Sequence, residues 1–209
     1  DNETPFPNVK RLKISGDGIK TIQISNTMFP NVREIISTNP KYPSGSILVE
    51  KAGNNMHLLN AFCLNEDEPL DLSGIVAIRD DALVGCKSDK VINTEDVIWV
   101  STDAFKASSM ACMKKPFVDG VRMVGSIACD FDTDAKKYII PEDATTMATF
   151  YDFNRDATMI INRNCSFFAN TPYSPPNHLV FTNTDHMDER DLRYLKKYDA
   201  EIRNDHNQK

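Results

Sequence analysis

Short apolar runs rich in β-branched side chains recur along this chain at nearly constant spacing, separated by polar segments carrying Asn, Asp, Gly and Pro. Phe6-Pro7-Asn8-Val9 returns as Phe29-Pro30-Asn31-Val32, an offset of 23 residues; in the same register Lys10 matches Arg33, Leu12 matches Ile35, and Ile14 falls on Ser37. A second ladder sets Ile78-Arg79-Asp80-Asp81-Ala82-Leu83 against Val100-Ser101-Thr102-Asp103-Ala104-Phe105 at an offset of 22. Asn60-Ala61-Phe62 is a weaker member of that ladder, 21 residues ahead of Asp81-Ala82-Leu83. In the second half Tyr138-Ile139-Ile140, Met159-Ile160-Ile161 and Leu179-Val180-Phe181 start 21 and 20 residues apart.

A unit of this length is short for a helix-turn-helix and suits one β-strand with a compact return. Each unit has only two or three apolar side chains to bury, such as Leu12 and Ile14, and cannot bury them alone. Stacking supplies the partners, which predicts a solenoid whose strands near Leu12, Ile35, Ile78, Ile98, Ile139, Ile160 and Val180 lie parallel, with those residues pointing inward. Asn8, Asn31, Asn93, Asn162 and Asn183 stand near the turns, where a side-chain amide can satisfy a backbone group.

Two regions break the period. Between Val97 and Tyr138 the spacing stretches to 41 residues, and within it Asp119-Gly120 lies between the β-branched residues of Phe117 to Val124. Asp-Gly in that setting predicts a hairpin with a tight primed turn, inserted near residues 114–128. At the C-terminus Leu192, Leu195, Tyr198 and Ile202 form a stripe among charged residues, which predicts an amphipathic helix from about Asp188 to Arg203. The expected organisation is a solenoid over residues 1–184 followed by a helix or tail over 185–209.

Charge and chemistry narrow the function. With 24 basic and 30 acidic side chains the net charge is -6, which argues against a dedicated nucleic-acid binder. The longest charge-free stretch, Asn164 to Thr184, contains Pro172, Pro175, Pro176 and four asparagines and is unsuited to a bilayer, so no membrane insertion is expected. Five cysteines with no C-x-x-C read as structural thiols, with Cys86, Cys112 and Cys129 reduced and mostly buried. Asp130, Asp132 and Asp134 have the spacing of a calcium loop, but Ala135 stands where Gly is needed and Pro141 where Glu is needed. The histidines are scattered, Gly16-Asp17-Gly18 lacks a third glycine, and neither a nucleophile elbow nor a phosphate-binding loop is present, so no metal, cofactor or catalytic residue is expected. Asp1 opens the chain without a basic start or an apolar run, as in a mature or excised piece.

The F-P-N-V-x-x-L/I unit, the D-A-F/L segments with Gly85-Cys86 after one of them, and the stretch Tyr138-Ile139-Ile140-Pro141-Glu142-Asp143-Ala144-Thr145-Thr146-Met147 resemble BspA-type leucine-rich repeats, also called Treponema pallidum-type repeats. The resemblance covers most of Phe6 to Phe181. It implies an α/β, β-rich leucine-rich-repeat solenoid with a curved parallel sheet, here with an inserted β-hairpin and a C-terminal helix. It further implies a secreted or surface-exposed group found in host-associated bacteria and some protozoa, with roles in adhesion and protein binding. It carries over no catalytic residues.

The function expected is a noncatalytic protein-binding or adhesion module, extracellular or at the cell surface, meeting a host, matrix or other protein. The alternative is a structural spacer in a longer multidomain chain. A polysaccharide hydrolase built on a solenoid needs carboxylates at matching positions of neighbouring strands, and only Glu50 lies near the aligned strand cores. Strand alternation places the binding face: if Leu12 and Ile14 face the core, then Arg11 and Lys13 face out, matched on the next coil by Glu34 and Ile36.

Overall fold

The computed structural model describes residues 5–24, 27–150, 152–161 and 175–182, together with Glu189, Arg193, Lys196 and the backbone of Glu201–Arg203. The chain forms two compact units, Asp1–Lys114 and Lys115–Lys209. The first contains β1 (Arg11–Ile14), β2 (Glu34–Ser37), β3 (Leu48–Ala52), β4 (Asn55–Asn60), β5 (Leu70–Asp71), β6 (Ile75–Ile78), β7 (Val91–Ile92), β8 (Trp99–Val100) and one 3-10 turn, Ala111–Lys114. The second contains β9 (Val121–Val124), β10 (Ile127–Phe131), β11 (Lys137–Ile139), β12 (Thr146–Met147), β13 (Thr158–Ile161), β14 (His178–Thr182) and β15 (Glu201–Arg203). The fold is β-rich, with almost no helix among the described residues, and each unit is a stack of solenoid coils.

In the first unit β1 and β2 pair in parallel with Leu12 opposite Ile35 and Ile14 opposite Ser37, the register of the F-P-N-V repeat. The rings of Phe6 and Phe29 stack at 5.5 Å, and the Asn31 amide donates to the Pro7 carbonyl at 2.8 Å, so the motif residues themselves join consecutive coils. Further along, β4, β6 and β8 lie parallel with β3 antiparallel on the outside, while β5 and β7 form a separate parallel pair. The chain therefore alternates between two sheets, one strand in each per coil. Leu58, Ile78 and Val100 make the buried row of the larger sheet. The turn that follows repeats as Ala61-Phe62, Ala82-Leu83 and Ala104-Phe105, all buried, and Ala61 donates to the Ala82 carbonyl at 2.7 Å. Alanine fits there because adjacent turns approach to backbone hydrogen-bond distance, while the bulky residue after it fills the coil.

In the second unit the Asp-Gly turn forms as expected. Val118 and Val121 exchange both backbone hydrogen bonds at 2.9 Å across Asp119 and Gly120, whose φ values of 50° and 76° are those of a primed turn with both central residues left-handed. The longer arms belong to the next turn: β9 pairs antiparallel with β10 around Gly125-Ser126, with Val124 opposite Ile127. The second strand of this hairpin is itself a coil strand, since β10 also pairs in parallel with β12. Then β11, β13, β14 and β15 form a four-stranded parallel sheet. Phe131, Tyr138, Phe150 and Phe153 pack around one another, with neighbouring centroids 4.8 to 6.1 Å apart, at the centre of this core.

Three expectations need correction. Ile139, Ile160 and Val180 do pair in register, but the core takes Tyr138, Met159 and Leu179 with Ile140, Ile161 and Phe181, leaving Ile139 and Ile160 half-buried. Three apolar residues in a row carry no alternation, and the side chains that complete the aromatic core determine which face turns inward. Ile98 lies just outside β8 and is exposed, with Val97 and Val100 buried in its place. At the C-terminus Glu201–Arg203 are strand: Phe181 pairs with Ile202 at an offset of 21, so the residues expected to end a helix add a strand to the sheet. Glu189, Arg193 and Lys196 are helical and exposed, with Arg193 donating to the Glu189 carbonyl; the rest of the expected helix lies outside the described residues, as do Asn162, Asn183 and Cys165. Among the described residues no helix is long and apolar enough to cross a membrane.

Candidate functional site

The four residues expected to face outward on the first two coils share one surface. Parallel register sets Arg11 opposite Glu34 and Lys13 opposite Ile36, about 4.8 Å apart across the sheet. Ile14 and Ile35 are buried beneath them, Leu12 is half-buried, and Arg11, Lys13, Glu34 and Ile36 are exposed. Arg11 Nε meets Glu34 Oε2 at 2.6 Å, and with both side chains open to solvent this pair contributes at most about 1 kcal/mol. Lys13 has no acidic partner among the described residues. The far edge of β2 is held by Ile35 and Gly45, which exchange backbone hydrogen bonds of 2.6 and 3.1 Å. β2 is therefore paired on both edges, and the face is mixed in charge with one apolar side chain, Ile36, opposite Lys13.

A second cluster lies on the larger sheet of the same unit and was not anticipated. Glu50 pairs with His57, His57 with Ala77, and Ala77 with Trp99, a row across four strands. Ala77 is small, and Arg79 lies beside it, with a guanidinium nitrogen 3.1 Å from His57 Nδ1 and its carbon 5.5 Å from the centre of the Trp99 ring. A guanidinium can only donate, so His57 Nδ1 is the acceptor and carries no proton. Burial first, and then the Arg79 charge, hold the His57 pKa below its ordinary value, opposed by Glu50. Glu50 in turn meets Lys41 Nζ at 2.7 Å. The available signals were that Trp99 is the only tryptophan and that Arg79 lies in the 22-residue ladder. The row itself was hidden by the bulge between Met56 and His57, which makes the His57-to-Ala77 offset 20 residues and the Ala77-to-Trp99 offset 22.

Arg79 also lines a cleft of about 860 Å³, together with Asp80 and Asp81 and with aliphatic walls from Ile22, Ile24, Leu48 and Leu59. None of the four outward residues of β1 and β2 lines it, so the two surfaces are separate features of the first unit.

The remaining candidate chemistry is structural in character. Cys63, Cys86, Cys112 and Cys129 are free thiols; Cys86 and Cys129 are buried as expected, whereas Cys112 is only half-buried. Burial pushes the Cys86 thiol up to about 11, which keeps it protonated and unreactive near neutrality. Asp130 meets Arg122 at 2.6 Å, and Asp132 accepts from the Asp134 backbone at 3.0 Å, so these carboxylates point to different partners instead of one centre. In comparison with known proteins, the chain matches no family model, no curated protein and no solved structure.

Proposed function

We propose that this chain is a noncatalytic protein-binding or adhesion module of the BspA-like leucine-rich-repeat kind. It acts outside the cell or at the cell surface and meets a host, matrix or other protein through the outward face of β1 and β2. The observation that carries this reading is the assembly of Arg11, Lys13, Glu34 and Ile36 into one exposed, in-register surface on a solenoid sheet, the kind of surface on which repeat proteins hold their ligands. The leucine-rich-repeat identity rests on the motif resemblance, to which the coil offsets add support. A mixed-sign surface with one exposed isoleucine suits protein recognition; a nucleic-acid surface would be one-signed, and a glycosidase would place paired carboxylates there.

The test is a double substitution, Lys13→Glu with Ile36→Ser. Both positions are exposed, so each change should alter stability by no more than about 0.5 kcal/mol, while attachment to immobilised fibronectin or collagen is lost. Attachment that persists unchanged at intact stability would overturn the assignment of this face, and a parent chain that attaches to neither would overturn a matrix-protein partner and favour the spacer.

A further inference from the structure

We propose a second recognition site in the first unit, independent of the β1–β2 face: the cleft beside Arg79 takes an extended peptide that presents a carboxylate next to an aliphatic side chain. Three observations point to it. The first is the state of Arg79. Arg11, Arg33 and Arg122 each hold a carboxylate, at 2.6, 2.9 and 2.6 Å. Arg79 has no carboxylate partner among the described residues, although Asp80 and Asp81 follow it directly. It is nonetheless held in place, by His57 Nδ1 on one nitrogen and by the face of Trp99. Arg79 is exposed, and with one nitrogen on His57 and its face toward Trp99 its remaining donors are open for bidentate binding of a carboxylate.

The second is the cleft itself. Its volume of about 860 Å³ lies in the range of ligand-sized sites, and the half-buried Ile22, Ile24 and Leu59 provide an aliphatic side, with Leu48 buried behind them. The third separates a peptide from other carboxylates. Asp80 is exposed, makes no hydrogen bond or ion pair among the described residues, and offers its solvated oxygens as acceptors for N–H groups. Gln23, between the two wall isoleucines, belongs to no strand and makes no backbone hydrogen bond among the described residues. A peptide backbone supplies donors for Asp80 and both main-chain partners for Gln23. A fatty carboxylate supplies neither, and a polyanion brings more negative charge beside Asp80 and Asp81 than the single Arg79 can offset. The carboxylate can be a Glu side chain or a chain terminus, which have the same chemistry at Arg79.

The experiment uses the full chain, isotope-labelled for NMR. Trp99 is the only tryptophan, so one indole N–H signal reports on the Arg79 site. Three probes are titrated: Ac-Leu-Glu-Leu-Leu-NH2, Ac-Leu-Gln-Leu-Leu-NH2 and Ac-Leu-Gln-Leu-Leu-OH. A saturable shift with the first assigns the carboxylate to a side chain, and one with the third assigns it to a terminus; the neutral second peptide should bind roughly tenfold more weakly or not at all. Arg79→Gln should weaken the responding peptide by about the same factor while the melting temperature holds. If that variant fails to fold, Arg79→Lys, which keeps the charge and loses the fork, should show the same weakening. The Lys13→Glu, Ile36→Ser variant should bind the peptide normally, which separates failure of this site from failure of the β1–β2 face. No saturable shift with either carboxylate peptide, equal affinity for the neutral one, indifference to both Arg79 substitutions, or saturation by laurate in place of peptide would overturn the proposal.

Discussion

At Gly85 the chain has no room for a side chain: a Cβ there would stand 2.7 Å from the Sγ of Cys63 on the preceding coil, and the backbone is left-handed, with φ of +74°. Both effects oppose a substitution, one through packing and one through conformation. Gly85→Ala should therefore lose about 1–3 kcal/mol in urea unfolding. Adding Cys63→Ala should relieve the collision and leave the conformational part; if the second change brings no recovery beyond its own cost, the contact is not the cause. Gly120 makes the contrast, because its Cβ would stand 2.5 Å from the Lys137 carbonyl, a backbone atom that no substitution can remove. The asparagines follow similar one-coil geometry. Asn31 bonds to a backbone carbonyl one coil back as expected, while Asn93 meets Asp71 Oδ1 and Ser73 Oγ, side-chain partners in place of backbone ones. Asn39 and Asn154 make such backbone bonds too, to Gly16 and Ala135, although they do not stand out in the sequence, and Asn60 donates to the Ile24 carbonyl across a longer separation of 36 residues.

At the scale of elements, the β9–β10 hairpin is closed by charge as well as by its turn. Arg122 and Asp130 face each other across the pair, their side chains largely buried and 2.6 Å apart. The guanidinium also covers the Phe117 ring at 4.0 Å and donates to the Lys115 carbonyl at 2.9 and 3.2 Å. Arg122→Ala leaves a carboxylate in a low-dielectric site without its counter-charge, a change that costs about 3–5 kcal/mol. Arg122→Met with Asp130→Leu should recover much of that loss, since a buried pair exchanged for apolar groups of similar volume is often near neutral. A double-mutant cycle by chemical denaturation checks this, and additive losses would show that the pair is not coupled.

Across the whole molecule, shifted ionisations bound the pH range of maximal stability. His57 has its pKa lowered below 6.5, first by burial and then by Arg79. Between its folded and unfolded values the unfolded chain binds the proton, so its contribution is complete above 6.5 and is lost as pH falls through the folded value. Asp71, lowered from 3.8 by hydrogen bonds from Asn93 and Ser73, extends the loss to more acid conditions. Cys86 has the opposite sign: raised from 9.0 to about 11 by burial, it stabilises fully below 9.0 and loses its contribution as pH rises through 11. Cys63, raised from the same 9.0 mainly by burial, acts in the same direction. The urea midpoint should accordingly be flat between 6.5 and 9.0 and fall on both sides. The Trp99 indole signal should titrate with a midpoint below 6.5 that moves upward in Arg79→Gln. A midpoint at or above 6.5 in the parent chain would contradict the assignment of His57 as Arg79's acceptor.

Register was legible in the amino-acid sequence, because coils of nearly equal length bring like residues together: Leu12 with Ile35, Ile78 with Val100, Ile139 with Ile160 and Ile160 with Val180 all pair as the repeat spacing implies. The Asp119-Gly120 turn was legible for a local reason, since few other dipeptides accept two left-handed residues in succession. The outward set on β1 and β2 could be read because Arg11-Leu12-Lys13-Ile14 alternates and so carries the sign of the face. In Tyr138-Ile139-Ile140 every position is apolar, so the sequence leaves both faces open and the aromatic core made with Phe131, Phe150 and Phe153 decides between them. The Arg79 cluster and its cleft were decided by tertiary structure alone. They draw on Ile22 and Ile24 outside any strand, on His57 after a bulge, and on Trp99 from a later coil, and no local pattern encodes the distance between groups brought together only by stacking.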